Sequence, residues 1–104
     1  MNFYENEDFK LLVKAIVSIE DEAECISFLD DIMTKKEMAD IAQRLMVAKL
    51  LSEQTVYNKI VEQTGASTAT ISRVNRAYNY GAGGYALILE RINDSDMEGG
   101  DTDE

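Results

Sequence analysis

The 104-residue sequence contains no proline, no tryptophan and no histidine, and it has a single cysteine. Without proline the strongest helix breaker is absent, which favours an all-α fold. Cys25 cannot form an intrachain disulfide, and we interpret it as a small buried hydrophobe in a reducing compartment. Because Cys25 has no histidine and no obvious base near it in the sequence, we expect no enzymatic activity.

Long apolar runs are also missing from the sequence. No run approaches the ~20 residues that a membrane-spanning helix needs. The N-terminal segment is acidic, whereas a signal peptide begins with basic residues. An apolar content of 45% is ordinary for a globular chain. We therefore expect a cytoplasmic protein that makes no contact with a membrane.

Positive charge is scarce, with 10 Lys and Arg against 20 Asp and Glu and a formal net charge of −10. The excess acid lies at the two ends: residues 1–32 hold 2 basic and 9 acidic residues, and residues 81–104 hold 1 and 7. Residues 55–80 instead hold 3 basic residues and 1 acidic residue. Because nucleic-acid affinity depends on local neutralisation of phosphates, this middle segment permits DNA binding. The acidic flanks should weaken non-specific binding.

Apolar spacing and capping residues predict the first three helices. The apolar period indicates a helix over roughly residues 5–18, Asp21 is a candidate N-cap for a second, and Thr34 with Glu37 forms a capping box for a third. The third helix is apolar on more than one face, so either its own chain or a partner subunit must cover it. We favour a homodimer, whose predicted interface residues are Leu45, Met46, Val47, Leu50 and Leu51.

Two short helices on either side of Gly65 predict a helix-turn-helix over about residues 55–78. Thr55 is expected to cap the first helix, which ends near Gln63, and Ser67 to cap the second, which ends near Tyr78. Gly65 provides a residue that tolerates left-handed backbone in the turn. The side chains expected to face inward are Ile60, Val61, Ile71 and Val74.

The outer side of the second short helix has a composition suited to reading DNA. Small hydroxyl residues and alanine allow close approach to base edges, and arginines can reach phosphates or guanine. No acidic residue occurs from Gln63 to Tyr85. The predicted DNA contacts are Ser67, Thr68, Ala69, Thr70, Ser72, Arg73, Arg76, Tyr57 and Asn58. The alternative is a helical hairpin in a bundle, with the hydroxyls only capping and the tyrosines only packing.

Two motifs near the C-terminal end resemble ligand-binding loops but lack residues that such loops require. Gly81 to Gly84 lacks a preceding strand and a following lysine, so it is not a phosphate-binding loop. The residues from Asp94 begin like a calcium loop, but no glutamate falls at its twelfth position and no second helix follows. We therefore predict one all-helical domain over residues 1–93, an acidic disordered tail over residues 94–104, and no metal or cofactor.

More than half of the chain, from Thr34 to about Ile92, resembles the Trp repressor superfamily, and within it the Trp-repressor-like YerC/YecD family of bacterial proteins. The resemblance rests on the T-x-x-E start at Thr34, on QRLMVAKLL over residues 43–51, and above all on GASTATISRVNR over residues 65–76. It implies an all-α chain of six helices, with two chains interlocked in a homodimer. It also implies a transcriptional regulator, expected to be a repressor, that binds operator DNA.

The resemblance also indicates a possible effector pocket. The family's corepressor lies between the third helix and the reading helix, held by two arginines that Arg44 and Arg73 match, and Thr34 matches a threonine near the ligand. Val74 replaces a family glycine and Ala77 a family serine, so we expect that tryptophan does not bind. Val74 either leaves room for another small molecule or locks the reading helix in place, and we favour the lock.

Two alternatives stay open at this stage. Arg44 could pair with Asp40, four residues earlier on the same helix, instead of binding a ligand or phosphate. The helix-turn-helix could also serve as a protein interaction module whose acidic ends contact basic partners.

Overall fold

Six α-helices form the computed structural model, which describes the backbone of residues 2–103 and the side chains of residues 2–94. The helices are Glu7–Val17 (α1), Glu22–Ile32 (α2), Lys35–Ser52 (α3), Tyr57–Thr64 (α4), Thr68–Tyr80 (α5) and Gly84–Asp103 (α6), with one 3-10 turn at Phe3–Glu5. Residues 2–103 contain no strand. The predicted all-α class with six helices is therefore confirmed. The predicted tail over residues 94–104 lies, from residue 95 on, outside the described side chains.

Local side-chain caps begin the first three helices. Asn6 Oδ1 accepts the backbone N–H of Asp8 at 2.7 Å and starts α1. Asp21 accepts the N–H of Glu24 at 2.8 Å and starts α2, as predicted. Thr34 and Glu37 form the full capping box: Glu37 donates its N–H to Thr34 Oγ1 at 3.1 Å and accepts that of Thr34 at 2.8 Å. Such caps satisfy N–H groups that have no partner inside the helix.

The start of α4 differs from the prediction. Thr55 is not its N-cap: α4 begins at Tyr57, and the N–H of Thr55 donates to the carbonyl of Leu50 at 3.0 Å in the turn that follows α3. Gln54 takes a left-handed conformation there, with φ of 64°. Val56 is the N-cap instead, and its side chain makes no capping hydrogen bond. The assignment of Thr55 as the cap is therefore wrong by one residue.

The chain divides into two compact units, residues 1–38 and residues 39–104. The single domain predicted over residues 1–93 stays a prediction. In the first unit, no side chain of α1 or α2 is buried. Cys25 is half-buried, so its expected full burial is not met in the chain by itself. Large apolar side chains of this unit are exposed, namely Leu11, Leu12, Val13, Ile16, Val17, Ile26 and Ile32.

The second unit contains the buried core. Side chains of α3, α4, α5 and α6 form it, together with one residue of the turn between α4 and α5. The buried residues are Val47, Ala48, Leu50, Ile60, Ala66, Ile71, Val74 and Leu89. Leu51, Tyr78 and Tyr85 are partly buried against this cluster. The core therefore holds the helix-turn-helix against the second half of α3.

Residues predicted at a dimer interface fall into two groups. Val47 and Leu50 are covered by their own chain, with 0% and 8% exposure, and Leu51 packs beside them. Leu45 and Met46 are exposed at 38% and 47%. Of the residues predicted at the interface, Leu45 and Met46 are thus the ones that remain exposed for contact with a partner subunit.

Membrane crossing requires a long helix of high mean hydropathy. Among the described residues, no helix combines the required length with the required apolar character.

Candidate nucleic-acid interface

Gly65 makes the turn between α4 and α5. It has φ of 72° and ψ of 5°, a left-handed conformation, and its N–H donates to the carbonyl of Val61 at 2.8 Å. The preceding Thr64 hydroxyl donates to the carbonyl of Ile60 at 2.7 Å and accepts the N–H of Ala66 at 3.1 Å. The predicted role of Gly65 is confirmed. Sequence reasoning missed Ala66, which is 2% exposed and attaches the turn to the core.

We expect Gly65→Ala to lower the free energy of unfolding by about 1–2 kcal/mol, because an L side chain disfavours left-handed backbone. A Cβ on Gly65 would meet no atom within 4 Å, so steric clash adds nothing to this cost. Chemical denaturation measures the change. Gly65→Asn is the control, since asparagine tolerates this conformation better than alanine. Equal stability of Gly65→Ala and the parent chain would contradict the expectation.

Ser67 begins α5, the second helix of the helix-turn-helix. Its Oγ accepts the N–H of Thr70 at 3.1 Å and lies 3.1 Å from the Thr70 hydroxyl. The predicted N-cap is therefore confirmed, and α5 continues to Tyr80, two residues beyond the predicted end. The Ser67 cap therefore fixes where α5 begins and holds the first turn of the helix in a defined geometry.

The two faces of α5 separate core from solvent as the spacing predicts. Ile71 and Val74 are buried, at 0% and 1% exposure, and Ile60 of α4 is at 0%. Val61 is the exception: it is 37% exposed, so its predicted inward orientation is wrong. On an eight-residue helix, adjacent positions point about 100° apart, and only Ile60 faces the core.

The predicted DNA contacts lie at accessible positions of α4 and α5. Ser67, Thr68, Ala69, Ser72, Arg73 and Arg76 are exposed and Thr70 is half-buried. Tyr57 and Asn58 are exposed in the first turn of α4. Of the remaining tyrosines, Tyr78 and Tyr85 pack against the core, whereas Tyr80 is 86% exposed. Eight of the nine predicted positions are thus exposed, and Thr70 is partly exposed.

Arg44 and Arg73, the two arginines predicted at the effector pocket, line the same cleft of about 300 Å³. Its lining residues are Asp40, Gln43, Arg44, Thr70 and Arg73. Val74, predicted at the same pocket, is buried in the core and is not part of this lining. Thr34 belongs to the other compact unit, where its hydroxyl serves the capping box of α3. The buried position of Val74 favours its interpretation as a lock on α5.

Sequence reasoning missed the contribution of Gln43. Its side-chain Nε2 donates to the carbonyl of Thr64 at 3.1 Å and so joins α3 to the end of α4. A glutamine within the apolar QRLMVAKLL segment was the available signal, because a half-buried amide needs a hydrogen-bond partner. No group of three or more potential metal-ligating side chains occurs among the described residues.

These features define an all-α protein with a helix-turn-helix that packs on the helix before it. Residues 7–93 match the family model described as Trp repressor protein, and the chain belongs to this family. The resemblance seen in the sequence is confirmed. The family is one of helix-turn-helix DNA-binding regulators and not of enzymes.

Individual relatives agree with this assignment. The chain is 47% identical over 87 residues to the uncharacterized protein YerC of Bacillus subtilis (strain 168). The aligned region covers 84% of this chain and 84% of YerC. The crystal structure of a TrpR-like protein from Eubacterium eligens ATCC 27750 matches with a TM-score of 0.85 and 44% identity, covering 89% of this chain and 96% of that one. A crystal structure from Staphylococcus aureus matches with a TM-score of 0.82 and 38% identity, over the same shares.

Proposed function

We propose that this protein is a sequence-specific transcriptional regulator, acting as a repressor, that binds operator DNA as a homodimer in the bacterial cytoplasm. The observation that carries the proposal is the outer face of α5. Six of its seven predicted contacts from Ser67 to Arg76 are exposed, while Ile71 and Val74 anchor the opposite face. A helix anchored in this way can enter a major groove without losing its own packing.

The distribution of charge supports DNA as the partner despite the net charge of −10. No acidic residue lies between Glu62 and Glu90, a stretch that includes the whole of α5. Lys59, Arg73 and Arg76 supply the local positive charge at exposed positions. Because counterion release depends on these local contacts with phosphate, the acidic ends reduce affinity without preventing binding.

Exposed apolar surface supports the homodimer. Leu12, Ile16 and Ile26 of the first unit are exposed, as are Leu45 and Met46 of the second. Apolar surface of this extent on a single chain is typical of a surface that another chain covers. A symmetric dimer would present its two α5 helices about one helical turn of DNA apart, roughly 34 Å, and would prefer a pseudo-palindrome. A light-scattering mass equal to one chain would contradict the dimer.

Tryptophan is not expected to control this protein. Val74 occupies the place of a family glycine and fills core space, and Ala77 lacks the hydroxyl of the family serine. Isothermal titration calorimetry with tryptophan should therefore show no binding heat. A saturable heat with one site per chain would overturn this part of the proposal.

The experiment that tests the proposal is an in vitro selection from random duplex DNA at low salt, with the purified protein. Enrichment of a pseudo-palindrome is the expected result. If nothing is enriched, the rival function gains support, in which the helix-turn-helix is a protein interaction module. The specific observation in its favour is the strongly acidic segment of residues 1–32, which would suit a basic protein partner.

A further inference from the structure

We propose that Gln43 is a positioning residue that holds the helix-turn-helix in its DNA-reading geometry without any bound effector. The inference rests on the proposed function and adds to it the means by which α3 orients α5. It concerns a residue outside the predicted DNA contacts, and it depends on a hydrogen bond rather than on apolar packing.

The bond connects two parts of the chain that are 21 residues apart. Gln43 lies on α3, and its side-chain amide donates to the main-chain carbonyl of Thr64 at 3.1 Å. Thr64 is the last residue of α4, and the last carbonyls of a helix have no partner inside the helix. The amide of Gln43 supplies that partner from α3, immediately before the Gly65 turn.

Thr64 passes this constraint on to the start of α5. Its hydroxyl donates to the carbonyl of Ile60 and accepts the N–H of Ala66, at 2.7 Å and 3.1 Å. Ala66 is buried and directly precedes Ser67, the N-cap of α5. A shift of Thr64 would therefore move the first turn of α5, where four of the predicted base contacts lie.

Apolar packing alone does not fix this geometry. Burial of Ile71 and Val74 keeps α5 against the core, but the hydrophobic effect has no preferred direction. A hydrogen bond weakens steeply when its angle departs from linear, so the Gln43 bond restricts the position of the turn along α3. Gln43 also lines the cleft with Arg44, Thr70 and Arg73, so its side chain lies in the groove between α3 and α5.

Amide hydrogen exchange on the DNA-free, effector-free protein tests the positioning role directly. Gln43→Met keeps the side-chain length and removes the donor, and Gln43→Glu replaces the donor with an acceptor. Both variants should speed the exchange of the hydrogen-bonded amides of Gly65, Ala66 and Thr70 by roughly tenfold, the scale of one lost hydrogen bond. The matched control is Gln63→Met, the same substitution at an exposed position one residue before Thr64. Exchange unchanged in both Gln43 variants would overturn the inference, whatever the protein binds.

The ratio of affinities for the enriched and a scrambled duplex distinguishes a positioning role from a general effect on stability. On the enriched duplex, Gln43→Met should bind roughly tenfold more weakly, and on a scrambled duplex it should bind as the parent chain does. Equal losses on both duplexes would mean general destabilisation and would overturn the inference. If the parent chain enriches no sequence, the proposed function fails, and the exchange result still decides the role of Gln43.

Discussion

The double variant Arg73→Ala with Thr70→Ala is expected to lose at least ~100-fold in affinity for the enriched duplex while it remains folded. Each good contact to a base edge contributes ~1–3 kcal/mol, and a symmetric dimer would lose each contact twice. Both residues lie on α5, where Arg73 is exposed and Thr70 half-buried. Fluorescence anisotropy titration of labelled duplex at constant low salt measures the loss.

Folding of this double variant should be little affected, for a structural reason. Ser67 caps α5 through the backbone N–H of Thr70, which alanine retains. Arg91→Ala is the matched charge control, because Arg91 is exposed on α6 outside the predicted contacts. It removes one positive charge and should leave specific affinity within about twofold. If the double variant binds the duplex as tightly as the parent chain, α5 is not the reading helix.

Features that depend on neighbouring residues could be predicted from the sequence. The capping box of Thr34 and Glu37 and the Ser67 cap each join a side-chain oxygen to a backbone N–H three positions away, so the local sequence contains all of their partners. The turn at Gly65 is equally local, because only glycine adopts left-handed backbone without a steric cost. Periodicity also separated the two faces of α5 correctly at Ile71 and Val74.

Features that depend on tertiary contacts were missed or assigned wrongly. Thr55 has the chemistry of an N-cap, but the turn after α3 extends to Thr55 and α4 begins later, with Val56 at the N-cap position. The contact between Gln43 and Thr64 joins residues 21 positions apart, so the local sequence can indicate that Gln43 needs a partner but cannot identify Thr64 as that partner. Which apolar face of α3 the chain itself covers also depends on tertiary contacts: Val47 and Leu50, predicted at the dimer interface, are buried within their own chain.

The candidate site follows the same division. The outer residues of α5 are set by helical spacing once Ile71 and Val74 are known to face inward. That Arg44 and Arg73 share one cleft with Gln43 depends on how α5 packs on α3. The family resemblance supplied the pairing of the arginines. The sequence indicates Asp40 only as a possible partner for Arg44, whereas its place in the lining of this cleft depends on the packing of α5 on α3.

Truncation of two adjacent residues of α4 should have very different effects on stability. Ile60→Ala is expected to lower the free energy of unfolding by about 2–5 kcal/mol, because it removes buried methyl groups and leaves a cavity. Val61→Ala should cost less than about 1 kcal/mol, because this side chain is 37% exposed whereas Ile60 is 0% exposed. Thermal and urea unfolding, at one fixed protein concentration, measure both changes.

The comparison of these two variants tests whether Ile60 is the residue of α4 that is buried in the core of the helix-turn-helix. Ile60 belongs to the same buried cluster as Ala66, Ile71 and Val74, so its truncation should loosen the turn and α5 together. A loss of this size is a large part of the 5–15 kcal/mol that stabilises a typical domain, and we expect a decrease in Tm of at least about 8 °C. Since a dimer's Tm depends on concentration, the parent chain must be measured at the same concentration. Equal losses of unfolding free energy for the two variants would contradict the expectation. They would mean that Val61 is also buried in the folded protein, by a surface of the partner subunit.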